Sequence, residues 1–210
     1  EILPKLPDTD DFDAIRDFIK EKLPFSSQNT RDRYVSYVVN RLFPEGRADL
    51  ALRTYAKIYS GRQELRDACF YRFCKAEPLM LSVSRDLLLP AIGYGQMDRS
   101  RIREYLSDHY PSSKVVNLCA KAIVNSLVAG GVARSDKKKI SFNYRAPAVA
   151  SLAFLIHSEF PAPGMYEISW LENSPLIRAM LWDPDRLLPE LYELRNLGLI
   201  SKISEIDNIR

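Results

Sequence analysis

The chain has 210 residues, with 30 lysine and arginine residues against 27 aspartate and glutamate residues, and a formal net charge of +3 at pH 7. Hydrophobic residues make up 46% of it, which is enough for a substantial core and too many for a disordered chain. No window approaches the roughly 20 consecutive apolar residues that cross a bilayer, and the acidic first residues do not resemble a signal peptide. We therefore expect a globular, cytoplasmic protein with no membrane partner.

The first 96 residues predict helices separated by proline and glycine, with little strand signal before residue 130. Residues 10–22 have an apolar face at helical spacing, and a second helix follows the capping residues at 26–30. Residues 47–60 and 62–76 predict a helical pair, and residues 78–89 predict a very apolar, buried helix. We therefore expect a helical bundle over residues 1–96. The core stripe of its second helix is expected to be Tyr34, Val35, Val38, Val39 and Leu42.

Residues 112–129 predict an amphipathic helix that Ser112 or Ser113 would cap. A Gly-Gly pair at 130–131 would end this helix in the left-handed conformation. The expected apolar face is formed by Val115, Val116, Leu118, Cys119, Ala122, Ile123 and Leu127. The expected polar face is formed by Lys114, Asn117, Lys121 and Asn125.

A basic hairpin is expected to follow this helix. Apolar and polar residues alternate over residues 140–144, as on a strand with one buried face and one solvent-exposed face. An earlier helix begins at Asp98 or Ser100, so residues 97–145 have the order typical of a winged helix-turn-helix. Such a helix fits the major groove, and such a hairpin reaches the adjacent phosphates. The cations at the hairpin tip would be Arg134, Lys137, Lys138 and Lys139.

Positive charge is concentrated in two parts of the chain, which favours a polyanionic partner. Residues 111–145 carry seven basic side chains and one acidic one, and residues 25–75 carry ten and five. Arg31, Arg33 and Arg41, in the second of these parts, are weaker candidates for contacts with the DNA backbone. The alternative is that residues 112–145 form a surface helix and a solvated lysine turn without a nucleic-acid role.

Residues 146–210 predict a helical segment and, over 165–210, a second winged module. Ser174-Pro175 and Asp183-Pro184 are helix start signals, and Pro189 would kink or restart the second of these helices. A strand is expected over residues 199–206. The acidic side chains on the last helix would repel phosphate, so this module is expected to serve packing or protein contacts.

The sequence predicts no catalytic residue, cofactor or metal site. It has no zinc-protease, nucleophile-elbow or phosphate-loop motif. Its two histidines, His109 and His157, fit structural roles at a helix end and at the edge of a core. The three cysteines, Cys69, Cys74 and Cys119, have the number and spacing neither of a disulfide framework nor of a zinc site, and we expect free thiols.

The segment Leu23-Pro24-Phe25-Ser26-Ser27-Gln28-Asn29-Thr30-Arg31-Asp32-Arg33, continued by Val39-Asn40-Arg41-Leu42, resembles the N-terminal signature of the BrxA-like family of BREX bacteriophage-defence systems. Ser27, Thr30, Arg41 and Leu42 fit its pattern, and Leu23-Pro24-Phe25 fits loosely. The later order of helical bundle, winged module and leucine-rich terminal helix is also similar. The resemblance implies a double-stranded DNA-binding accessory protein without catalytic activity.

We therefore expect a mainly α-helical protein with an N-terminal bundle and one or two winged modules. It would bind double-stranded DNA, mainly through the backbone and with low sequence preference, in a defence system with other subunits. One alternative is a protein-interaction adaptor that does not contact DNA. Another is a stand-alone transcriptional regulator, which would usually require a dimer matching a palindromic site.

Overall fold

A computed structural model of the chain describes residues 2–203. The fold is mainly helical, as expected, with a small antiparallel sheet of three strands in this part of the chain. The α-helices are α1 (Phe12–Lys22), α2 (Gln28–Leu42), α3 (Leu50–Ile58), α4 (Gln63–Ala76), α5 (Pro78–Val83), α6 (Leu89–Ala91), α7 (Ser100–His109), α8 (Val116–Ala129), α9 (Val149–Glu159), α10 (Ile168–Asn173), α11 (Pro175–Ala179) and α12 (Pro184–Asn196). The strands are β1 (Gln96–Asp98), β2 (Arg134–Ser135) and β3 (Lys139–Ser141).

Aspartate caps start several of these helices. The Asp11 carboxylate accepts from the Asp13 amide at 2.9 Å and fixes the start of α1. Asp49 accepts from the Leu52 amide at 2.9 Å at the start of α3. These side chains accept from amides that have no partner within the helix, so the residue at which each helix starts is determined by the local sequence.

Helix α4 lies at the centre of the packing. It contacts α2, α3, α5, α8, α9 and α11, and it buries Leu65, Ala68, Phe70, Tyr71 and Cys74. The buried hydrophobic side chains form one cluster that extends from Leu3 to Leu194. Helices on both sides of residues 96/97 and of residues 145/146 contact α4. The division of the chain into three domains at these two boundaries stays a prediction.

The apolar helix expected over residues 78–89 is interrupted. A π-helical turn, Ser84–Leu88, joins α5 to α6, and a 3-10 turn, Ile92–Tyr94, follows α6. Pro90 has no amide hydrogen and cannot continue the regular hydrogen-bond ladder. A wider turn just before proline is the result.

The sheet has the order β1-β3-β2, with β3 in the middle. Met97 of β1 pairs with Ile140 of β3, and Ser135 of β2 pairs with the same residue from the other side. The side chains of Met97, Ile140 and Phe142 are buried, so one face of the sheet packs on the core. The expectation of little strand before residue 130 missed β1, which is only three residues long.

The C-terminal part differs from its prediction in two places. The helix that starts at Pro175 is expected from the sequence to run to about Trp182. It ends at Ala179, because Leu181 adopts a left-handed backbone with φ +50° and Trp182 forms a bridge with Arg145. No strand is present over residues 199–203, and the rest of the strand expected at 199–206 lies outside the described residues. Pro189 lies within α12.

From residue 2 to residue 203, no helix is long and apolar enough to span a membrane.

Candidate nucleic-acid interface

The start of α8 lies later than the sequence suggested. Its first residue is Val116, and neither Ser112 nor Ser113 caps it. The Ser113 hydroxyl accepts from the Val115 amide, at 3.4 Å, in the turn before the helix. Lys114 therefore lies in this turn, one residue before the N-cap position, and is exposed.

Only part of the expected apolar face of α8 is buried. Of this face, Ile123 and Leu127 are buried, whereas Val115, Leu118 and Ala122 are exposed, contrary to expectation. Val124, which was not assigned to this face, is also buried. Leu118 leaves 69% of its surface exposed. It precedes Ile123 by five residues, which rotates it by about 140° around the helix. The buried stripe is thus narrow, and the apolar residues outside it add to the exposed surface.

The exposed side of α8 carries the polar residues that the sequence placed there. Asn117, Lys121 and Asn125 are all exposed and follow one another at four-residue spacing. Among residues 2–203, neither Lys121 nor Lys114 has a carboxylate within ion-pair distance. This side of the helix therefore presents amides and uncompensated positive charge.

Asp136 shapes the hairpin tip. Its carboxylate accepts from the backbone amides of Lys138 and Lys139, both at 2.7 Å. The pKa of Asp136 is lowered below its usual value, mainly by the hydrogen bond from the Lys139 amide and next by that from the Lys138 amide. Arg99 ties the tip to the start of α7, since its amide donates to the Lys138 carbonyl at 2.8 Å and its guanidinium donates to the Asp136 carbonyl at 2.9 Å. The single carboxylate of the tip is thereby used to hold its backbone.

The cations of the tip point away from the core. Arg134, Lys137 and Lys138 are exposed, and none has an ion pair in the described part of the chain. Lys139 is also exposed, and its ammonium donates to the side chain of Gln96 at 3.3 Å. Four cations thus surround one turn.

Two glycines fix the end of α8 against α4. Gly131 has the left-handed φ of +68° that the sequence suggested, whereas Gly130 has a right-handed φ of −69°. The Gln63 side chain donates to the Gly130 carbonyl at 2.9 Å. A Cβ at Gly130 would lie 2.6 Å from a ring carbon of Phe70. The closeness of this contact requires glycine, and it sets where the hairpin leaves the core.

The three arginines proposed on α2 differ in what they contact. Arg33 is exposed, with its guanidinium 5.9 Å from the Tyr34 ring. Arg31 donates to the Ser26 carbonyl at 3.4 Å. Arg41 forms an ion pair with Glu77 and donates to the Tyr37 carbonyl at 2.9 Å. Arg33 is therefore the one of the three whose charge is most available.

A groove of about 380 Å³ runs between α2, α4 and the last turn of α8. Tyr34 and Tyr37 of α2 line it, with Arg66 of α4 and Ser126 and Ala129 of α8. Tyr34 is 38% exposed and so is not part of the core stripe, contrary to the sequence-based expectation. The exposure of Tyr34 was missed because its spacing from Val38 and Leu42 fits a buried stripe equally well.

The remaining candidates for chemistry are held in structural contacts. His109 Nδ1 lies 2.8 Å from the Tyr105 carbonyl, in the last turn of α7. Burial raises the pKa of Cys74 to about 12 and that of Cys69 to about 11, so both thiols are protonated at neutral pH. The described residues contain no cluster of three histidine, cysteine or acidic side chains arranged to hold a metal.

Comparison with protein-family models, curated proteins and solved structures gives no match to this chain.

Proposed function

We propose that this chain binds double-stranded DNA through a winged helix-turn-helix module over residues 97–145. The observation that carries the proposal is the arrangement of β1, α7, α8, β2 and β3. The two helices lie between the first and second strands, the sheet order is β1-β3-β2, and the helix that precedes the hairpin exposes amides and lysine. This is the order in which winged modules present a recognition helix and a wing.

The first two turns of α8 are the part suited to base edges. In helix-turn-helix proteins the N-terminal residues of the recognition helix contact the bases. Asparagine can bind adenine with two hydrogen bonds, and lysine can donate to guanine. Asn117 and Lys121 lie at these positions, and exposed Leu118 beside them can contact a thymine methyl group.

The hairpin is suited to phosphates. Lys137 and Lys138 lie in the turn that Asp136 holds, and Arg134 lies on β2 just before it. Contacts with phosphate give affinity without sequence information, so binding through such a wing has low sequence preference.

The wider setting rests on the resemblance at residues 23–42. On that basis the chain is a non-catalytic accessory protein of a BREX-like bacteriophage-defence system. Other defence-system subunits are then its protein partners. The basic surface at 114–139 supports DNA binding and does not bear on this setting.

A protein-interaction adaptor is the second candidate, and a specific surface favours it. Met165 is 96% exposed and Trp170 is 65% exposed, next to the acidic residues Glu167 and Glu172. Exposed apolar side chains of this kind mark protein contacts when they form a patch. An adaptor would use this surface and leave the lysines of the hairpin to solvent.

Titration of a labelled duplex at several salt concentrations distinguishes these two functions. DNA binding predicts a logarithmic affinity that falls steeply and linearly with the logarithm of salt concentration, because phosphate contacts release counterions. Two duplexes of unrelated sequence should bind with similar affinity. Absence of any complex in low-salt buffer would rule out the DNA proposal and favour the adaptor.

A further inference from the structure

Three aromatic side chains in and just before α2 form a continuous surface, which we name the aromatic platform (Phe25, Tyr34 and Tyr37). The rings of Phe25 and Tyr34 stack with centroids 4.3 Å apart, and Tyr37 meets Tyr34 edge-on at 5.8 Å. Tyr37 leaves 46% of its surface exposed. A platform of this size at the surface offers stacking area that the protein itself does not cover.

Arg41 holds the aromatic platform in place on its protein-facing side. The Arg41 guanidinium lies 5.2 Å from the Tyr37 ring and 5.6 Å from the Phe73 ring, and it is paired with Glu77. Arg41 therefore orients Tyr37, and its charge is used within the protein. The cations left for a ligand are Arg33 and Arg66, which are exposed and have no ion pair among residues 2–203.

This combination of exposed rings and free arginines fits an unpaired nucleic-acid strand. Bases of any sequence stack on aromatic side chains, and arginines beside them hold the phosphates. A duplex does not expose its base faces, so duplex DNA alone cannot use the rings. A protein partner is less well matched, because it would need acidic residues opposite both Arg33 at the Tyr34 ring and Arg66 in the groove.

The platform is also continuous with the surface proposed to bind duplex DNA. The groove beside it is lined by Ser126 and Ala129 in the last turns of α8. Ala129 follows Lys121 by eight residues, which is about 12 Å along the helix. That distance corresponds to about four nucleotides at the spacing of stacked bases. A strand that leaves a duplex bound at Lys121 can thus reach the platform within a few nucleotides.

We infer that the aromatic platform binds the unpaired bases of a DNA strand that leaves the duplex on α8. The protein then binds a junction of duplex and single strand more tightly than it binds a blunt duplex. The inference rests on the proposed function for the position of the duplex. The stacking surface itself is formed by α2 and by Phe25, which precedes α2, and it does not depend on the proposed function.

The test uses the full chain and three probes: a blunt duplex, the same duplex with an overhang of about ten thymidines, and a free oligothymidine of about ten residues. Binding is measured by fluorescence anisotropy at one salt concentration. The overhang should raise affinity at least about fivefold, since each stacked base contributes roughly 1–3 kcal/mol. Tyr37→Ala should remove this gain and leave affinity for the blunt duplex unchanged, whereas Tyr37→Phe should retain the gain.

Arg66→Glu is the second variant, because it alters an exposed side chain and should also reduce the gain without affecting the fold. Trp170→Ala is the matched control: it removes an exposed aromatic side chain from α10 and should change nothing. Circular dichroism checks that each variant is folded. An equal affinity of the unaltered protein for the blunt and overhang probes would overturn the inference. A gain that survives both Tyr37→Ala and Arg66→Glu would also overturn it. Either outcome would favour a protein partner as the ligand of the groove.

The outcomes for the two proposals are separable. Binding to the blunt duplex without any gain from the overhang would retain the proposed function and overturn the platform. Tyr37-dependent binding to oligothymidine, without binding to the blunt duplex, would support the platform and overturn the proposed function. Failure to bind any of the three probes would overturn both.

Discussion

Asp67 on α4 and Arg145, which follows β3, form an ion pair in the interior, with Arg145 Nη2 2.8 Å from Asp67 Oδ1. Asp67 is completely buried, and it also accepts from the Gln63 side chain at 2.8 Å. Arg145 continues the connection, since its backbone exchanges hydrogen bonds with Leu181 and Asp183. This pair joins the central helix α4 to the segment that follows β3 and to the start of α12.

Loss of this pair should destabilise the whole fold. Asp67→Ala leaves the Arg145 charge without its partner, and removal of one member of a buried pair typically costs about 3–5 kcal/mol. Because Arg145 keeps some access to water, we expect the low end, about 3 kcal/mol, or a melting temperature lower by roughly 6–12 °C. The measurement is thermal and urea unfolding followed by circular dichroism.

Glu45→Ala is the control for this prediction. It removes an ion pair with Arg47 in which both side chains are largely exposed, and such pairs contribute at most about 1 kcal/mol. If Asp67→Ala melted at the same temperature as Glu45→Ala, the Asp67–Arg145 pair would not be a link that stabilises the fold.

The local features of this fold could be predicted from sequence. The starts of α1 and α12 follow from aspartate caps and, in α12, from proline at the first helical position, and Gly131 follows from the need for a left-handed residue. The alternation over residues 140–144 places Ile140 and Phe142 in the core. In each case the cause lies within a few residues, so a local pattern is sufficient.

The features that depend on distant contacts were not predictable. Ser112 and Ser113 have the composition of a cap, yet α8 begins at Val116. Which of its apolar residues are buried is decided by the narrow contact with α7 and α4, and this contact leaves Leu118 exposed. The Asp67–Arg145 pair and the groove beside Tyr37 join segments that are far apart in the chain, and no periodicity within either segment reports them.

Replacement of Lys137, Lys138 and Lys139 together by alanine should weaken DNA binding without unfolding the protein. The amides that Asp136 holds belong to the backbone and are retained in alanine, so the turn keeps its shape. Exposed side chains of this kind contribute within about 0.5 kcal/mol each to stability. Loss of two or three phosphate contacts should flatten the slope of log affinity against log salt by about two to three units. An unchanged slope would move the DNA surface to the arginines of α2.

Asp136 should control the order of the hairpin tip rather than the global stability. Asp136→Ala removes the acceptor for two amides, so the amides of Lys138 and Lys139 should exchange faster with solvent in NMR measurements, while the melting temperature changes little. Asp136→Asn keeps an acceptor oxygen and should show a smaller effect. Unchanged exchange in Asp136→Ala would mean that Ser135 and Arg99 hold the turn without it.

The pH dependence of the tip follows from the lowered pKa of Asp136. The folded state favours the ionised carboxylate, so its contribution is fully present above the ordinary carboxyl pKa of about 4 and is lost as the pH falls through the lower, folded value. The protection factors of the Lys138 and Lys139 amides should thus be constant between about pH 5 and pH 7 and should decline only in acid. Loss of protection already near about pH 6 would contradict this assignment.

Helices α8 and α12 each follow a shorter helix, and substitutions of Lys121 on α8 and Arg195 on α12 should differ in their effect on DNA binding. Lys121 lies on the exposed side of α8 with Asn117 and Asn125, where no carboxylate of the described residues is paired with it. Arg195 lies in the last turn of α12, over the ring of Tyr192 at 4.8 Å, on a helix that also carries Glu190 and Glu193. Those glutamates would oppose approach of phosphate, so α12 is the less suitable helix for DNA.

Lys121→Glu should therefore lower affinity for duplex DNA at least about tenfold, the low end of the effect of reversing a contact in the groove. Arg195→Glu should change it much less, and its effect should appear in binding to a partner subunit. Both variants are compared at one salt concentration, after circular dichroism has shown that they are folded. If Arg195→Glu abolished binding and Lys121→Glu did not, the DNA-binding helix would be α12, and the basic hairpin after α8 would be a solvated turn.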